Sequence, residues 1–393
     1  MPNQRDGFDT RSVHDATPSQ PTNAPARTPI YQSAGWTFSS LAQVDEIYER
    51  RVAGAIYGSD GNPNLIALEA QIASLEEADA ALATSAGMAA FTSAFAALLR
   101  SGDRIVAARE SYGNTRRLID DFSRFGVRSA FVDTCDLAAV ENELAHGARL
   151  LIAETISNPR LRVADVRALA AASHANGALL IIDNTFASPY HCRPLALGAD
   201  LVMESGTKFL GGHHDIVIGT LAGESELLDP VRTFAVRSGM VPSAFEAWLT
   251  ARSIETLGVR MAKSASNATA LANWLASHPK VTHVHYPGLQ DHPDHDVAKR
   301  TLDRGFGPMV SFEIDGGVKS VDNLLAGLRR IRLILSLGGT ETSLSHPAKS
   351  SHRALSAHER SSLGLHDGFL RLSVGIEDLA DIQADLSLGF ERL

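Results

Sequence analysis

Residues 199–212 read ADLVMESGTKFLGG, and this stretch decides the fold. Leu201, Val202 and Met203 form a short apolar run of the kind buried on both faces of a parallel sheet. The run ends in Ser205, Gly206, Thr207 and Lys208. Lys208 is the first lysine of the chain, and the next is Lys263. An ammonium in an apolar site is costly, so a buried lysine pairs, loses its proton or becomes covalently modified. A Schiff base to an aldehyde cofactor is one such outcome. A surface lysine on the loop after the strand is the other, and this stretch alone supports both.

A second strand end separates them. Ala178–Ile182 is a longer apolar run closed by Asp183, Asn184 and Thr185. The two ends offer a carboxylate and an amine, with hydroxyls from Ser205 and Thr207. In open α/β sheets, ligands sit outside the carboxyl ends of parallel strands. Pyridoxal phosphate (PLP) needs this set: an amine for the aldehyde, a carboxylate for the pyridine nitrogen and donors for the phosphate. Asp183 taken alone would read as a turn or N-cap residue; beside Lys208 it reads as a cofactor ligand.

The strings DNTFASPY and SGTKFLGGH resemble the cysteine/methionine-metabolism (trans-sulfuration) family of PLP-dependent enzymes. That family spans cystathionine and methionine γ-lyases, cystathionine γ-synthases and homoserine-ester sulfhydrylases. The resemblance runs from about Thr10 to the C-terminus. It implies an α/β protein of PLP fold type I, aspartate aminotransferase-like, with a mostly parallel central sheet and a smaller C-terminal α/β domain. The expected divisions are an extended arm over 1–55, a large cofactor domain over 56–257 and a C-terminal domain over 258–393.

Composition agrees with a soluble enzyme. The chain has 393 residues, 44% hydrophobic and 21% charged, enough for a sizeable core. A net charge of -9 argues against a nucleic-acid or anionic-membrane surface. No apolar run reaches the roughly 18 residues that span a bilayer. The N-terminus lacks a signal-peptide pattern, and two cysteines make no disulfide framework. A cytoplasmic location is expected.

The remaining motifs follow in chain order. Residues up to about Ser40 are rich in Pro, Thr, Asn and Gln and read as an arm; TPIYQSAGWTF resembles the family's arm, which lies across a neighbouring subunit and implies an oligomer, as a tetramer of two dimers. In IYGSDGNPN, the resemblance places Tyr57 on the phosphate of the adjacent subunit, but Ser59 stands where the family has arginine. One bidentate cation would then be missing, leaving Ser59 itself, Arg50 or Arg51 to serve. Leu65, Leu68, Ile72 and Leu75 mark a helix over 64–77. The Ser85-Ala86-Gly87-Met88 turn before the next helix exposes N–H groups suited to an anion, and the resemblance assigns Gly87 and Met88 to the phosphate. It also assigns Tyr112 to stacking on the ring and to departure of the leaving group, and Asn158 to the cofactor's phenolic oxygen and the substrate. Asn114 stands where methionine γ-lyases tend to have cysteine. Asp136–Ala145 and 163–176 read as helices, and so do 242–257 and 259–277. Strand, helix, strand at this spacing is the α/β pattern.

Near the C-terminus, Arg371 lies in an apolar strand and requires a partner, with Glu377 as a structural choice. The resemblance instead places Arg371 on the substrate α-carboxylate, Ser336 opposite it, and Glu341 among the groups farther from the reacting centre. The expected reaction is γ-elimination from a sulfur amino acid, with γ-replacement as the alternative. Two readings come from other classes. His213-His214-Asp215 and the segment with His283, His285, His292 and His295 suggest a metal-dependent hydrolase, although neighbours in sequence seldom converge on one ion and no metal is expected. The missing arginine at Ser59 suggests a non-catalytic member.

Overall fold

The computed structural model describes residue 23 and residues 25–353 and 355–393; the first part of the expected arm lies outside these. Seven strands form the larger sheet: β1 (Ala80–Thr84), β2 (Arg104–Ala108), β3 (Arg128–Val132), β4 (Leu150–Glu154), β5 (Leu179–Asp183), β6 (Leu201–Glu204) and β7 (Gly219–Gly223). Their spatial order is β1-β7-β6-β5-β4-β2-β3. The pairs from β3 through β6 are parallel, and β7 runs antiparallel to both of its neighbours. β4 and β6 are buried along their length, which explains their continuous apolar runs.

A second sheet holds β8 (His283–His285), β9 (Met309–Glu313), β10 (Arg332–Leu333), β11 (Ser343–Ser345) and β12 (Phe369–Ser373), in the order β10-β11-β12-β9-β8. The helix Leu257–Ala276 lies between the two sheets in sequence and packs on the second through Leu271 and Leu275. Helices at Pro63–Glu76, Leu137–Leu144 and Ala244–Ile254 fall where periodicity places them.

The helix expected over 163–176 is shorter, Val166–Ala175. Val163 instead bridges to Ile156, and Asp165 caps the helix by accepting from the Ala168 N–H at 3.2 Å. No helix among the described residues is long and apolar enough to cross a membrane.

Candidate active site

The carboxyl ends of β4, β5 and β6 converge on one cavity of about 260 Å³. Lys208 follows β6, Asp183 closes β5, and Arg371 enters from β12 of the second sheet. Ser205, Thr207 and Thr185 line the same space, as do Asn158 and Tyr112. Gly87 and Met88 open the helix Gly87–Leu98 onto it, and no side chain caps that helix. Its first-turn N–H groups therefore offer an anion site. Gly219 admits this turn: a Cβ there would fall 2.3 Å from the Ala86 carbonyl oxygen.

Ser336 reaches Lys208 directly, accepting from Nζ at 2.8 Å. Gly338 permits that approach. It sits at φ +86°, and a Cβ there would lie 2.7 Å from the Lys208 carbonyl carbon. Behind the lysine, buried Arg260 donates to the carbonyls of Phe209 (2.7 Å) and Leu210 (3.3 Å), fixing the loop. Burial, helped by the Arg371 charge, pushes the Lys208 amine down to about 8.

This shift has a stability consequence in the cofactor-free protein. Between about pH 8 and the ordinary lysine value of 10.5, the unfolded chain binds the extra proton. Stability therefore rises with pH across that window. Lys208→Met is expected to flatten this component, and denaturant melts of variant and parent above and below about pH 8 measure it.

Asp183 sits among acids. It pairs in register with Glu154, and burial raises both carboxyls, that of Glu154 well above the ordinary range. Burial also lifts Glu204 well above the ordinary range and Glu76 to about 8. One oxygen of each of these two has no partner, while their other oxygens face the Asn184 amide. Buried acids facing a cavity are offset when a cation enters it. Asp183 could thus face a protonated pyridine nitrogen, Lys208 could carry the aldehyde carbon, and the Gly87 turn with Ser205 and Thr207 could hold a phosphate. The donor set fits PLP.

Arg371 is 4% exposed, and Nη1 donates to Asn158 Oδ1 at 2.6 Å. Its Nε has no partner, and the guanidinium carbon lies 5.7 Å from the centre of the Phe186 ring. Arg371 does not pair with Glu377. Glu377 instead accepts from the Thr342 N–H and hydroxyl. Glu341 is exposed and lies outside the cavity walls. Tyr57 is 58% exposed, and neither it nor Ser59 lines the cavity of its own chain. Arg50 pairs with Asp229 and Arg51 with Glu49.

Sequence reasoning missed Glu154. Its two oxygens accept the N–H groups of Tyr112 (2.7 Å) and Asn158 (3.2 Å), holding both loops that flank the cavity. The available signal was an acid closing an otherwise apolar strand. The histidines do other work: His285 bonds Glu313 at 2.7 Å, His295 bonds the Pro287 carbonyl, and His213 bonds the Gly211 carbonyl.

Fold and cavity together define a PLP-dependent enzyme of fold type I. From residue 9 to 391 the chain matches the Cys/Met metabolism PLP-dependent enzyme family, and it belongs to that family. An L-methionine gamma-lyase of Fusobacterium nucleatum subsp. polymorphum is 39% identical over 397 residues, covering 100% of both chains. A cystathionine gamma-synthase of Mycobacterium tuberculosis is 42% identical, covering 96% of this chain and 95% of that one. The crystal structure of cystathionine gamma synthase from Xanthomonas oryzae pv. oryzae, in complex with aminoacrylate and cysteine, superposes with a TM-score of 0.89. It shares 36% identity and 93% coverage of each chain. Family membership sets the metal-dependent hydrolase reading aside.

Proposed function

We propose that this enzyme carries out γ-elimination on a sulfur amino acid, releasing a thiol, a 2-oxo acid and ammonia. The observation that carries the reading is one cavity holding Lys208, Asp183, Tyr112 and Arg371. When bound, PLP supplies an electrophilic aldehyde and an electron-accepting ring. The chain supplies the rest. Arg371 receives the α-carboxylate as a bidentate fork. The Lys208 amine takes the Cα proton and then removes one from Cβ, so that the electron pair left at Cβ can expel the γ-substituent. Ser336 orients that amine. The Tyr112 hydroxyl, itself accepting from Asn114 Nδ2 at 3.1 Å, delivers a proton to the group leaving Cγ.

The full-length likeness to methionine gamma-lyases favours elimination. γ-Replacement is the second reading, favoured by the 42% identity to a cystathionine gamma-synthase. The site is proposed to complete itself in a homotetramer, where the exposed Tyr57 and Ser59 reach a neighbour's phosphate group. Two domains dividing near residue 257, a cytoplasmic location and no resident metal belong to the same proposal.

The test begins with colour. The protein should purify yellow, and borohydride should fix the cofactor to Lys208. Assays of 2-oxo acid from methionine, cystathionine and homoserine esters then decide the reaction. Release should continue when thiol is added; its replacement by thioether formation would establish γ-replacement instead. A colourless protein with no cofactor would point to the non-catalytic reading. Tyr112→Phe should lower kcat by about 10²–10⁴-fold while cofactor absorbance and KM change little. Loss of cofactor absorbance in that variant would assign the hydroxyl to holding the cofactor rather than to proton delivery.

A further inference from the structure

Beside Asp183 lie two buried acids that the reaction does not use. Glu76 ends the helix Pro63–Glu76, and Glu204 ends β6, one residue before Ser205. They are 1% and 2% exposed. Both face the side chain of Asn184, which follows Asp183 and is itself fully buried.

Hydrogen-bond donors are scarce at this point. Asn184 Oδ1 accepts from the Thr155 hydroxyl at 2.8 Å, which turns Nδ2 toward the acids. Nδ2 has two N–H groups. The Cys192 carbonyl takes one at 2.9 Å. The other is left for Glu204 Oε1 at 3.4 Å and Glu76 Oε1 at 3.5 Å together. The second oxygen of each acid is buried without a partner. Among the described residues neither acid is paired with a cation. Arg193 acts on Glu76 only from a distance, being paired with Glu77 and Asp303. The other titratable groups nearby are the Cys192 thiol, which Glu76 helps to push up, and Asp183, a further acid beside Glu204. Two carboxylates that share one N–H in a dry site, with no cation, do not both stay ionised. A retained proton relieves the repulsion and supplies the missing O–H donor.

We propose that Glu76 and Glu204 form a proton-retaining acid pair, with at least one of them a neutral carboxylic acid at neutral pH, and that this pair positions Asn184 and the cofactor-facing edge beside it. Asn184 joins the ends of β5 and β6: its N–H donates to the Met203 carbonyl at 2.8 Å, and its carbonyl accepts the Ala187 and Ser188 N–H groups. Its neighbours continue the chain of contacts. The Thr185 N–H donates to Asp183 Oδ1 at 3.0 Å, and the Ser205 N–H donates to Thr185 Oγ1 at 2.9 Å. Neither glutamate lines the cavity, so both act through these residues as positioning groups. The retained proton is independent of the functional reading above; the positioning role rests on PLP occupying the Lys208 cavity.

The proton is measured in the cofactor-free protein. A glutamate whose folded pKa lies above its unfolded value of 4.5 adds stability at low pH, and loses it as pH rises toward about 8, where Glu76 titrates. Denaturant melts across that window compare the parent with Glu76→Gln and Glu204→Gln. In each variant the folding constant should fall about tenfold less per pH unit than in the parent, the mark of one proton. Infrared difference spectra at neutral pH should show each variant losing the carbonyl stretch of a protonated carboxyl. An unchanged pH dependence, or an unchanged stretch in both variants, overturns the pair.

Positioning is read by titrating PLP into the same proteins and following absorbance. Glu204→Ala should bind PLP about tenfold more weakly than the parent, while Glu204→Gln, which keeps the acceptor and the neutral donor, should restore affinity to within about threefold. Glu76→Ala and Glu76→Gln repeat the comparison from the helix side. Parental affinity in both alanine variants overturns the positioning role, and so does an equal loss in alanine and glutamine. A parent that takes up no PLP sinks the functional reading and the positioning role together, while the proton measurements still decide the pair.

Discussion

Lys208→Arg is expected to lower turnover by about 10⁴-fold while the protein remains folded. The substitution keeps the positive charge near Ser336 and removes only the capacity to be a neutral amine. Arginine holds its proton throughout the working range. Lysine in this cavity is different, because burial and the nearby Arg371 bring it down to about 8. An appreciable fraction is therefore free to attack a carbonyl carbon or take a proton at neutral pH. Borohydride should no longer fix the cofactor, and mass spectrometry of the treated protein reads that directly. If the lysine served only as a cation for Ser336, the arginine variant would retain most of its activity. Lys208→Ala provides the second measurement, since it avoids arginine's bulk: it too should lose turnover, with partial recovery by added small primary amines.

Much of this was legible because the chemistry sits at strand ends. Lys208 and Asp183 each follow an apolar run, and the runs became β6 and β5. The features that escaped are those whose partners are remote. Glu154 could be read as the end of β4, but the Tyr112 N–H that it accepts lies 42 residues away in sequence. Val163 continues a helical pattern, yet pairing with Ile156 delays the helix to Val166. Glu377, six positions beyond Arg371 in sequence, accepts from Thr342 instead.

Arg371→Leu should separate activity from stability. Truncating one partner of a buried, hydrogen-bonded charge pair costs about 2–5 kcal/mol. For the arginine–carboxylate contact this is a fall in kcat/KM of about 30- to 5,000-fold, most of it in KM. Folding should not suffer in proportion. Among the described residues Arg371 has no acid beside it and its Nε is unpartnered, and burial already depresses it to about 10, so it remains charged at neutral pH. Removing an uncompensated buried charge relieves the folded state. The melting temperature of the cofactor-free variant should therefore equal or exceed that of the parent. A matching loss of stability and activity would return Arg371 to a structural part. Arg371→Lys should fall between the two in activity, since a point charge replaces the fork. A last readout follows from the Lys208 amine. The Arg371 charge contributes to its lowered pKa, so in Arg371→Leu the amine should titrate above about 8, and the pH dependence of apo-protein stability should move upward with it. The neutral charge-deleted variant would show that movement even where no substrate is present, which ties the anion-binding arginine and the reactive amine into one electrostatic unit.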